Sequence, residues 1–515
     1  MKFVLDDAKL DALLAPHDSS RRPGVALGIA HHGIPAYTRW LGLADAGLPM
    51  ALAPGIRMRI GSTSKHFTCL GIMLLAEDGK LAPGDSLRRH LPDLKPWADG
   101  VTLAQVMSHT GGVRCSLDLL TLTDNIIGTP LPHAAQVDLL HQVETTSFAP
   151  GSDWMYSNGG YVLLTEIVRR LSGMSFEAFL QERILKPAGL FESFARPLDT
   201  DIVPHTASLH MREADGSYRR GLFGPEIGGE GNIMSTVGDM LRWLRHLDAP
   251  QVGSAETWRA MCEPVFLTGG GSTCYGFGLV NSRYRGLPVL YHTGGVIGGT
   301  CQMLKARSLG LDIIAMTNSY DALAAKIVNQ ILDACVEGLD TAPQSIPGPF
   351  RTGNFLNPDT GRFLRLVEKE GSPAADMGLA QIPLIRRADG SAWILSNFAD
   401  GLTVREDAAG ITVEEYGRIE HLHPLPDAPA DASHAIIGSW DARELTARAR
   451  VEAGEPATLA ITGDHGSARY TLLPQAEGLW AVIGDAGPAG QIEHRDGALL
   501  LSSTSTRRLR FDRAA

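Results

Sequence analysis

The most informative pattern in the chain is a short polar stretch, residues 61–66, that runs directly into an apolar segment with helical spacing. Apolar residues recur three or four positions apart from Phe67 to Leu74, and Gly79 then provides a helix stop. The spacing predicts a helix that begins at or near Ser62 and ends before Gly79.

The segments around this helix predict a domain of mixed structure. Short apolar runs typical of strands lie at residues 24–30, 36–42, 275–280, 289–292, 300–304 and 311–317, and helical periodicity lies at residues 5–16, 102–107, 134–144, 158–172, 235–246 and 320–339. Strands at both ends and helices between them predict an α/β sandwich whose antiparallel sheet is assembled from the two ends of the domain.

The remaining third of the chain has a different texture. Residues 341–349, rich in proline and glycine, read as a linker, and almost no helical periodicity follows them. Two segments of alternating polarity open alike, at 353–355 and 438–440, and predict two small antiparallel β-barrels. We therefore expect a multidomain α+β protein with a first domain at 1–340 and barrels at 348–430 and 432–515.

Composition narrows the class of protein. The 515 residues are 44% hydrophobic and 20% charged, as in ordinary globular proteins, and no apolar run is long enough to span a bilayer. A net charge of −11 argues against nucleic acid or a membrane as partner. The six cysteines lack metal-site spacing, so we expect reduced thiols, no metal and no cofactor. An acidic break among the first seven residues favours a cytoplasmic location over export.

Candidate chemistry begins where the predicted helix begins. Ser62 and Lys65 are three residues apart and would share a helix face, so the amine can reach the hydroxyl. The helix beyond them is apolar, and we expect burial to lower the pKa of Lys65 and let it accept the serine proton. The competing interpretation is a helix-capping serine beside a solvated lysine.

Two further motifs could complete a site. Tyr156, two residues before Asn158 in a loop that precedes a helix, could relay a proton, and Asn158 could donate to a substrate carbonyl or to Lys65. His292 ends a strand and is followed by glycines, which allow a substrate to approach closely. The N–H of Gly295 could then oppose that of Ser62 as an oxyanion donor. Each residue taken alone is more often structural.

The order Ser-x-x-Lys, Tyr-x-Asn, His-x-Gly resembles the penicillin-recognising serine hydrolase superfamily, which includes class C β-lactamases, D-Ala-D-Ala carboxypeptidases, esterases and D-aminopeptidases. Residues 57–62, 108–112, 148–152 and 275–278 extend the likeness, and the two expected barrels make the D-aminopeptidase branch the most similar.

This resemblance implies a serine hydrolase that releases N-terminal D-residues such as D-alanine from short peptides, amides or esters. It implies Ser62 as nucleophile, Lys65 as proton acceptor and Tyr156 as proton shuttle, with Asn158 for positioning and His292 as polariser. A homodimer is possible.

In that branch a loop of the last barrel enters the site and carries an aspartate that faces the substrate amine. The corresponding stretch, residues 484–490, is shorter here, and Asp485 would pair with the ammonium if the loop reaches. An exposed turn aspartate is the alternative.

Other functions stay open at this point. A carboxypeptidase or β-lactamase would need a cation for the substrate carboxylate, for which Arg283 and Arg285 are candidates. An esterase is a further possibility, and a non-catalytic binding protein is a possibility of another class.

Overall fold

The fold is described from a computed structural model of the chain. The structure describes residues 1–369, 371–376, 381–394, 401–428, 432–485 and 487–515. Among these residues, none of the helices is both long enough and apolar enough to cross a membrane.

The helices lie almost entirely in the first two thirds of the chain. The α-helices are Asp7–Leu14, Lys65–Glu77, Leu87–His90, Leu103–Met107, Ser116–Asp124, His133–Gln142, Asn158–Ser172, Phe176–Leu180, Val237–His246, Ala255–Cys262 and Ala324–Cys335. Short 3₁₀ turns are Ala15–His17, Gly61–Ser64, Pro96–Asp99, Ile126–Gly128, Arg307–Leu309 and Ala432–Ile436, and Gln181–Leu185 is a π-helical turn.

The first domain is built on a six-stranded antiparallel sheet. In spatial order its strands are Val280–Tyr284, Leu287–Val296, Gly299–Ala306, Leu311–Thr317, Val25–His31 and Ile34–Leu41. Val25 pairs with Thr317, so the two ends of the domain meet in the middle of the sheet. The predicted origin of the sheet from both ends of the domain is therefore confirmed.

Smaller ladders complete this domain. They pair Lys2–Phe3 with Val336–Glu337, Leu43–Asp45 with Met50–Ala51, His210–Arg212 with Tyr218–Arg220, and Ile233–Ser235 with both Met58–Arg59 and Phe194–Ala195.

Both faces of the sheet are covered. Alternate residues of the strand Val25–His31 point to opposite sides: Val25 and Leu27 pack with the helix Ala324–Cys335, whereas Ala26 packs in the core of the helix Lys65–Glu77. A sheet buried on both faces has strands that are apolar almost throughout, which explains why these strands read as continuous apolar runs.

Two β-units follow. The middle unit is a nearly closed antiparallel sheet of Gly353–Leu356, Phe363–Lys369, Ser372–Asp376, Gln381–Pro383, Ile385–Arg386, Ala392–Ile394, Leu402–Glu406, Ile411–Glu415 and Arg418–Leu425. The last unit is a closed barrel of Gly438–Ala442, Arg448–Glu452, Ala457–Thr462, Ser467–Ala476, Leu479–Gly484, Gly487–Arg495, Ala498–Ser502 and Leu509–Arg513. The predicted fold class is confirmed. The predicted boundary near residue 430 falls on 429–431, outside the described residues.

Some predicted extents were wrong. The helix expected over residues 320–339 is Ala324–Cys335. The helix expected from Ser62 begins as the 3₁₀ turn Gly61–Ser64 and becomes α-helical only at Lys65.

The last barrel packs directly against the first domain. Leu119 and Leu120 of the helix Ser116–Asp124 lie in the same apolar core as the barrel residue Trp440. Beside them Arg114 and Glu444 form a buried ion pair at 2.8 Å. The barrel therefore fixes the position of a helix that, as described below, contributes Leu117 to the candidate site.

Candidate active site

The turn that carries Ser62 is held against the strand Leu287–Val296 by two backbone approaches that leave no room for side chains. Gly61 has a φ of +53°, and a Cβ added to it would lie 2.9 Å from the Gly295 carbonyl oxygen. A Cβ on Gly294 would lie 1.8 Å from the Ile60 carbonyl oxygen. Glycine is required at both positions, and the contact places Ser62 beside Gly295 on the wall of one cleft.

Lys65 is fully buried and its amine is surrounded by three oxygen atoms. Nζ lies 3.2 Å from Ser62 Oγ, 2.8 Å from Asn158 Oδ1 and 2.8 Å from the Glu230 carbonyl oxygen. Burial lowers the pKa of Lys65 to about 7, against the opposing charge of the Glu230 carboxyl. The amine is thus neutral in a large fraction of molecules near pH 7 and can accept the Ser62 proton.

The same contact decides between the two interpretations of Ser62. The α-helix begins at Lys65, its capping position is Ser64, and no side chain makes a cap hydrogen bond there. The Ser62 hydroxyl contacts the Lys65 amine instead, so the capping interpretation was wrong.

Tyr156 completes the cluster around Ser62. Its phenol oxygen is buried beside the Ser62 side chain. Burial raises the pKa of Tyr156 far above its ordinary value, so the phenol keeps its proton and can pass it on. The Lys65 amine also lies 4.7 Å from the centre of the Tyr156 ring.

The loop that carries Tyr156 is fixed on both sides by His109. The His109 carbonyl accepts from the Met155 N–H at 3.0 Å, and its Nδ1 accepts from the Ser157 N–H at 3.1 Å. The His109 ring also lies 4.3 Å from that of Tyr156. The role of His109 was not predicted, because its contacts join segments about 50 residues apart.

His292 is fully buried. Its Nδ1 is 2.5 Å from the Thr293 carbonyl, which can only accept, so Nδ1 carries the proton and Nε2 accepts from the Tyr275 hydroxyl at 2.8 Å. Burial lowers the pKa of His292 to about 3, and the ring is neutral. The cleft lining does not include His292, and its role as polariser stays a prediction.

The cleft has a volume of about 280 Å³ and a mostly apolar wall. It is lined by Gly61, Ser62, Leu117, Asn158, Asp199, Phe223, Ile227, Glu230, Gly231, Gly295, Val296, Ile297 and Tyr320. Two of these residues are acidic, and none of these described residues is lysine or arginine. Asp199 and Glu230 were not predicted, because no recognised motif includes them.

The cations considered for a carboxylate substrate lie elsewhere. Arg285 pairs with Asp333 at 2.6 Å, Arg283 donates to the Gly286 carbonyl at 3.0 Å, and neither lines the cleft.

Asp485 lies at the tip of a tight hairpin of the last barrel. Gly484 pairs with Gly487, and Asp485 is exposed between them. Its neighbour Ala486 lies outside the described residues. The cleft lining contains no described residue of this barrel, and contact of Asp485 with a substrate stays a prediction.

Within the described part of the chain, no three His, Cys, Asp or Glu side chains are grouped so that they could hold a metal ion.

Comparison with known proteins now places the chain. The family model described as Beta-lactamase matches residues 8–334, which is more than half of the sequence. The chain belongs to the Beta-lactamase family. All the clustered residues around Ser62 fall within the matched segment.

Two curated relatives are similar over long stretches. A D-aminopeptidase of Brucella canis is 27% identical over 362 residues, which cover 68% of this chain and 66% of that protein. This match spans slightly less than two thirds of the Brucella protein. A D-aminopeptidase of Cereibacter sphaeroides is 26% identical over 464 residues, 87% of this chain and 84% of that protein.

Solved structures share the fold. The octameric penicillin-binding protein homologue from Pyrococcus abyssi superposes with a TM-score of 0.58 at 18% identity, over 98% of this chain and 100% of that chain. The D-amino acid amidase from Ochrobactrum anthropi SV3, complexed with L-phenylalanine amide, gives a TM-score of 0.53 at 22% identity, over 64% of this chain and 97% of that chain.

The titration of Lys65 predicts a pH profile. Because the neutral amine is the base and its pKa is about 7, kcat/KM for a p-nitrophenyl ester should fall about tenfold per pH unit below 7 and level off above it. Lys65→Met should lower kcat/KM by about 100-fold or more. The control Lys326→Met, at an exposed lysine, should match the wild type. A flat profile from about pH 5 to 8 would contradict Lys65 as the base.

The middle β-unit reaches the Tyr156 loop, which predicts a remote effect on catalysis. Tyr416 packs on Trp154 with ring centres 5.0 Å apart, and Arg418 pairs with Asp153, three residues before Tyr156. Tyr416→Ala should therefore lower kcat by about 10- to 100-fold with little change in KM, because the proton donor is displaced.

Two variants control for the Tyr416 prediction. Tyr416→Phe retains the ring and should keep its activity, and Ile419→Ala, at an exposed position of the strand Arg418–Leu425, should behave as wild type. A folded Tyr416→Ala variant with unchanged kcat would show that the contact does not position Tyr156.

Proposed function

We propose that the chain is a serine amidase and aminopeptidase that releases N-terminal D-amino acids, such as D-alanine, from short peptides, amides and esters. The observation that carries the proposal is the contact of Ser62 with both a buried lysine and a buried tyrosine in a cleft without a lysine or arginine in its described lining. The names of the Brucella and Cereibacter relatives support the choice of substrate.

Acylation follows from the positions of the side chains. The Lys65 amine takes the proton from Ser62 Oγ, 3.2 Å away, as the oxygen attacks the substrate carbonyl. The N–H groups of Ser62 and Gly295 stabilise the oxyanion that develops. The Tyr156 phenol gives its proton to the departing amine and is reprotonated from Lys65 by way of the cluster.

Deacylation uses the same groups in reverse. Water takes the place of the departed amine, and the Tyr156 and Lys65 pair removes its proton as it attacks the ester on Ser62. Asn158 Oδ1 holds the Lys65 amine at 2.8 Å through both half-reactions. Every proton is returned, so the cycle needs no further reactant.

The other functions have less support. A carboxypeptidase or β-lactamase needs a cation for the substrate carboxylate, and neither Arg283 nor Arg285 lines the cleft. A non-catalytic binding protein has no need for the contacts among Ser62, Lys65 and Tyr156. Esterase activity on small acyl esters uses the same steps and can accompany the amidase activity.

We also propose a cellular location and an oligomeric state for the enzyme. The six cysteines, all in the described part of the chain, are buried and form no disulfide, which supports a reducing cytoplasm. A homodimer is proposed because the Pyrococcus abyssi neighbour is described as octameric, and light scattering of the purified chain would measure its mass.

The proposal predicts selection for a free amine. D-alanine p-nitroanilide should be cleaved, and its N-acetyl form should not, because acetylation removes the positive charge that an acidic cleft favours and adds bulk in a space of about 280 Å³. Release of p-nitroaniline measures both rates. The L-alanine compound, of equal size and charge, tests chirality and should be cleaved much more slowly. Equal rates for the free and acetylated amines would contradict an aminopeptidase.

A further inference from the structure

The two acidic residues of the cleft, Asp199 and Glu230, differ in the hydrogen bonds and ion pairs that their carboxylates make within the protein. Asp199 Oδ1 accepts from Arg59 at 2.6 Å and from Arg196 at 3.1 Å, and its Oδ2 accepts from the Phe223 N–H at 3.0 Å. Both oxygens and the charge of Asp199 are therefore satisfied within the protein. Two guanidinium groups already pair with this carboxylate, so it attracts a cationic ligand less than an unpaired carboxylate does.

The Glu230 carboxyl accepts far fewer hydrogen bonds than that of Asp199. The residue is 3% exposed, and its Oε1 accepts one hydrogen bond, from the Gly228 N–H at 2.8 Å. Oε2 is buried and has no hydrogen-bond partner in the described structure. A buried carboxyl oxygen without a donor is costly, so the residue is incomplete without another group.

Glu230 also belongs to the group of residues around the nucleophile. Its carbonyl accepts from the Lys65 amine at 2.8 Å, and that amine contacts Ser62. In an aminopeptidase substrate the α-nitrogen is one carbon away from the carbonyl that Ser62 attacks. An ammonium at that position must lie close to this group, and it supplies the donors and the positive charge that Glu230 lacks.

We propose that Glu230 receives the α-ammonium of the substrate and thereby selects acyl groups with a free amine. This proposal rests on the proposed aminopeptidase function. It places the ammonium site at Glu230 in the first domain, and not at Asp485 in the hairpin of the last barrel.

The position of Glu230 also links recognition to catalysis. Burial raises the pKa of the Glu230 carboxyl, and its charge raises that of Lys65. The positive charge of a bound ammonium offsets the negative charge of Glu230, and this favours the neutral Lys65 amine that acts as base. A substrate with a free α-ammonium therefore increases the fraction of Lys65 that is neutral and can act as the base.

The experiment compares D-alanine p-nitroanilide with propanoyl p-nitroanilide, which has hydrogen in place of the amine. In the wild type kcat/KM should favour the amine. Glu230→Gln keeps the shape and the acceptor for Gly228 but removes the charge, and it should reduce this preference about 10- to 100-fold. Glu230→Asp, which keeps the charge, should retain part of the preference.

A matched control and a binding measurement complete the design. Glu226→Gln makes the same chemical change in the same segment at a residue outside the cleft lining, and it should leave the preference unchanged. In a Ser62→Ala background, calorimetry should show D-alanine p-nitroanilide bound about tenfold or more weakly after Glu230→Gln. This readout does not depend on turnover.

The outcomes separate the two proposals. A wild type without preference for the amine overturns both the aminopeptidase function and the ammonium site. If the wild type prefers the amine and Glu230→Gln keeps that preference, only the assignment to Glu230 is overturned. The same holds if Glu226→Gln reduces the preference as much as Glu230→Gln does. A Glu230→Gln variant that shifts the pH profile of Lys65 but keeps the preference would also overturn it.

Discussion

The site depends on the burial of one amine among three oxygen acceptors. Removing a lysine from water disfavours its charged form, and only a set of well-placed acceptors makes such a position tolerable. Here the acceptors come from three separate parts of the chain: the turn at Ser62, the helix that begins at Asn158, and the backbone at Glu230. The fold of the first domain can be understood as the means of bringing these three together.

The same requirement explains why backbone approaches near Ser62 are so close. The turn Gly61–Ser64 must face the strand Leu287–Val296 for Ser62 and Gly295 to share a cleft, and the strand must leave room for a substrate. Glycine at 61 and at 294 permits this, because any Cβ would collide with backbone atoms. These glycines serve the geometry of the site more than the flexibility of the chain.

The two β-units support the site through contacts with residues that do not react. The middle unit packs Tyr416 on Trp154, and both units pair with Asp153, through Arg418 and Arg507. The last barrel shares its apolar core with the helix that carries Leu117. Within the described residues, these contacts fix the Tyr156 loop and one wall of the cleft while the cleft lining itself comes from the first domain.

Local sequence signals identified a good part of this arrangement. Spacing alone put Lys65 within reach of Ser62, and apolar periodicity located most strands of the sheet, because each depends on residues close together in sequence. Glu230, His109 and Tyr416 could not be found in this way, since their importance comes from contacts with residues 46 or more positions away. The expected loop at Asp485 was inferred from a relative's architecture, and a short hairpin stands there.

The most direct test of the account is to trap the covalent intermediate. The enzyme would be mixed with D-alanine p-nitrophenyl ester, quenched in acid within its first turnovers, digested, and analysed by mass spectrometry. The account predicts an alanyl group on the peptide that contains Ser62 and none in Ser62→Ala. An alanyl group on another peptide, or hydrolysis at the wild-type rate by Ser62→Ala, would contradict it.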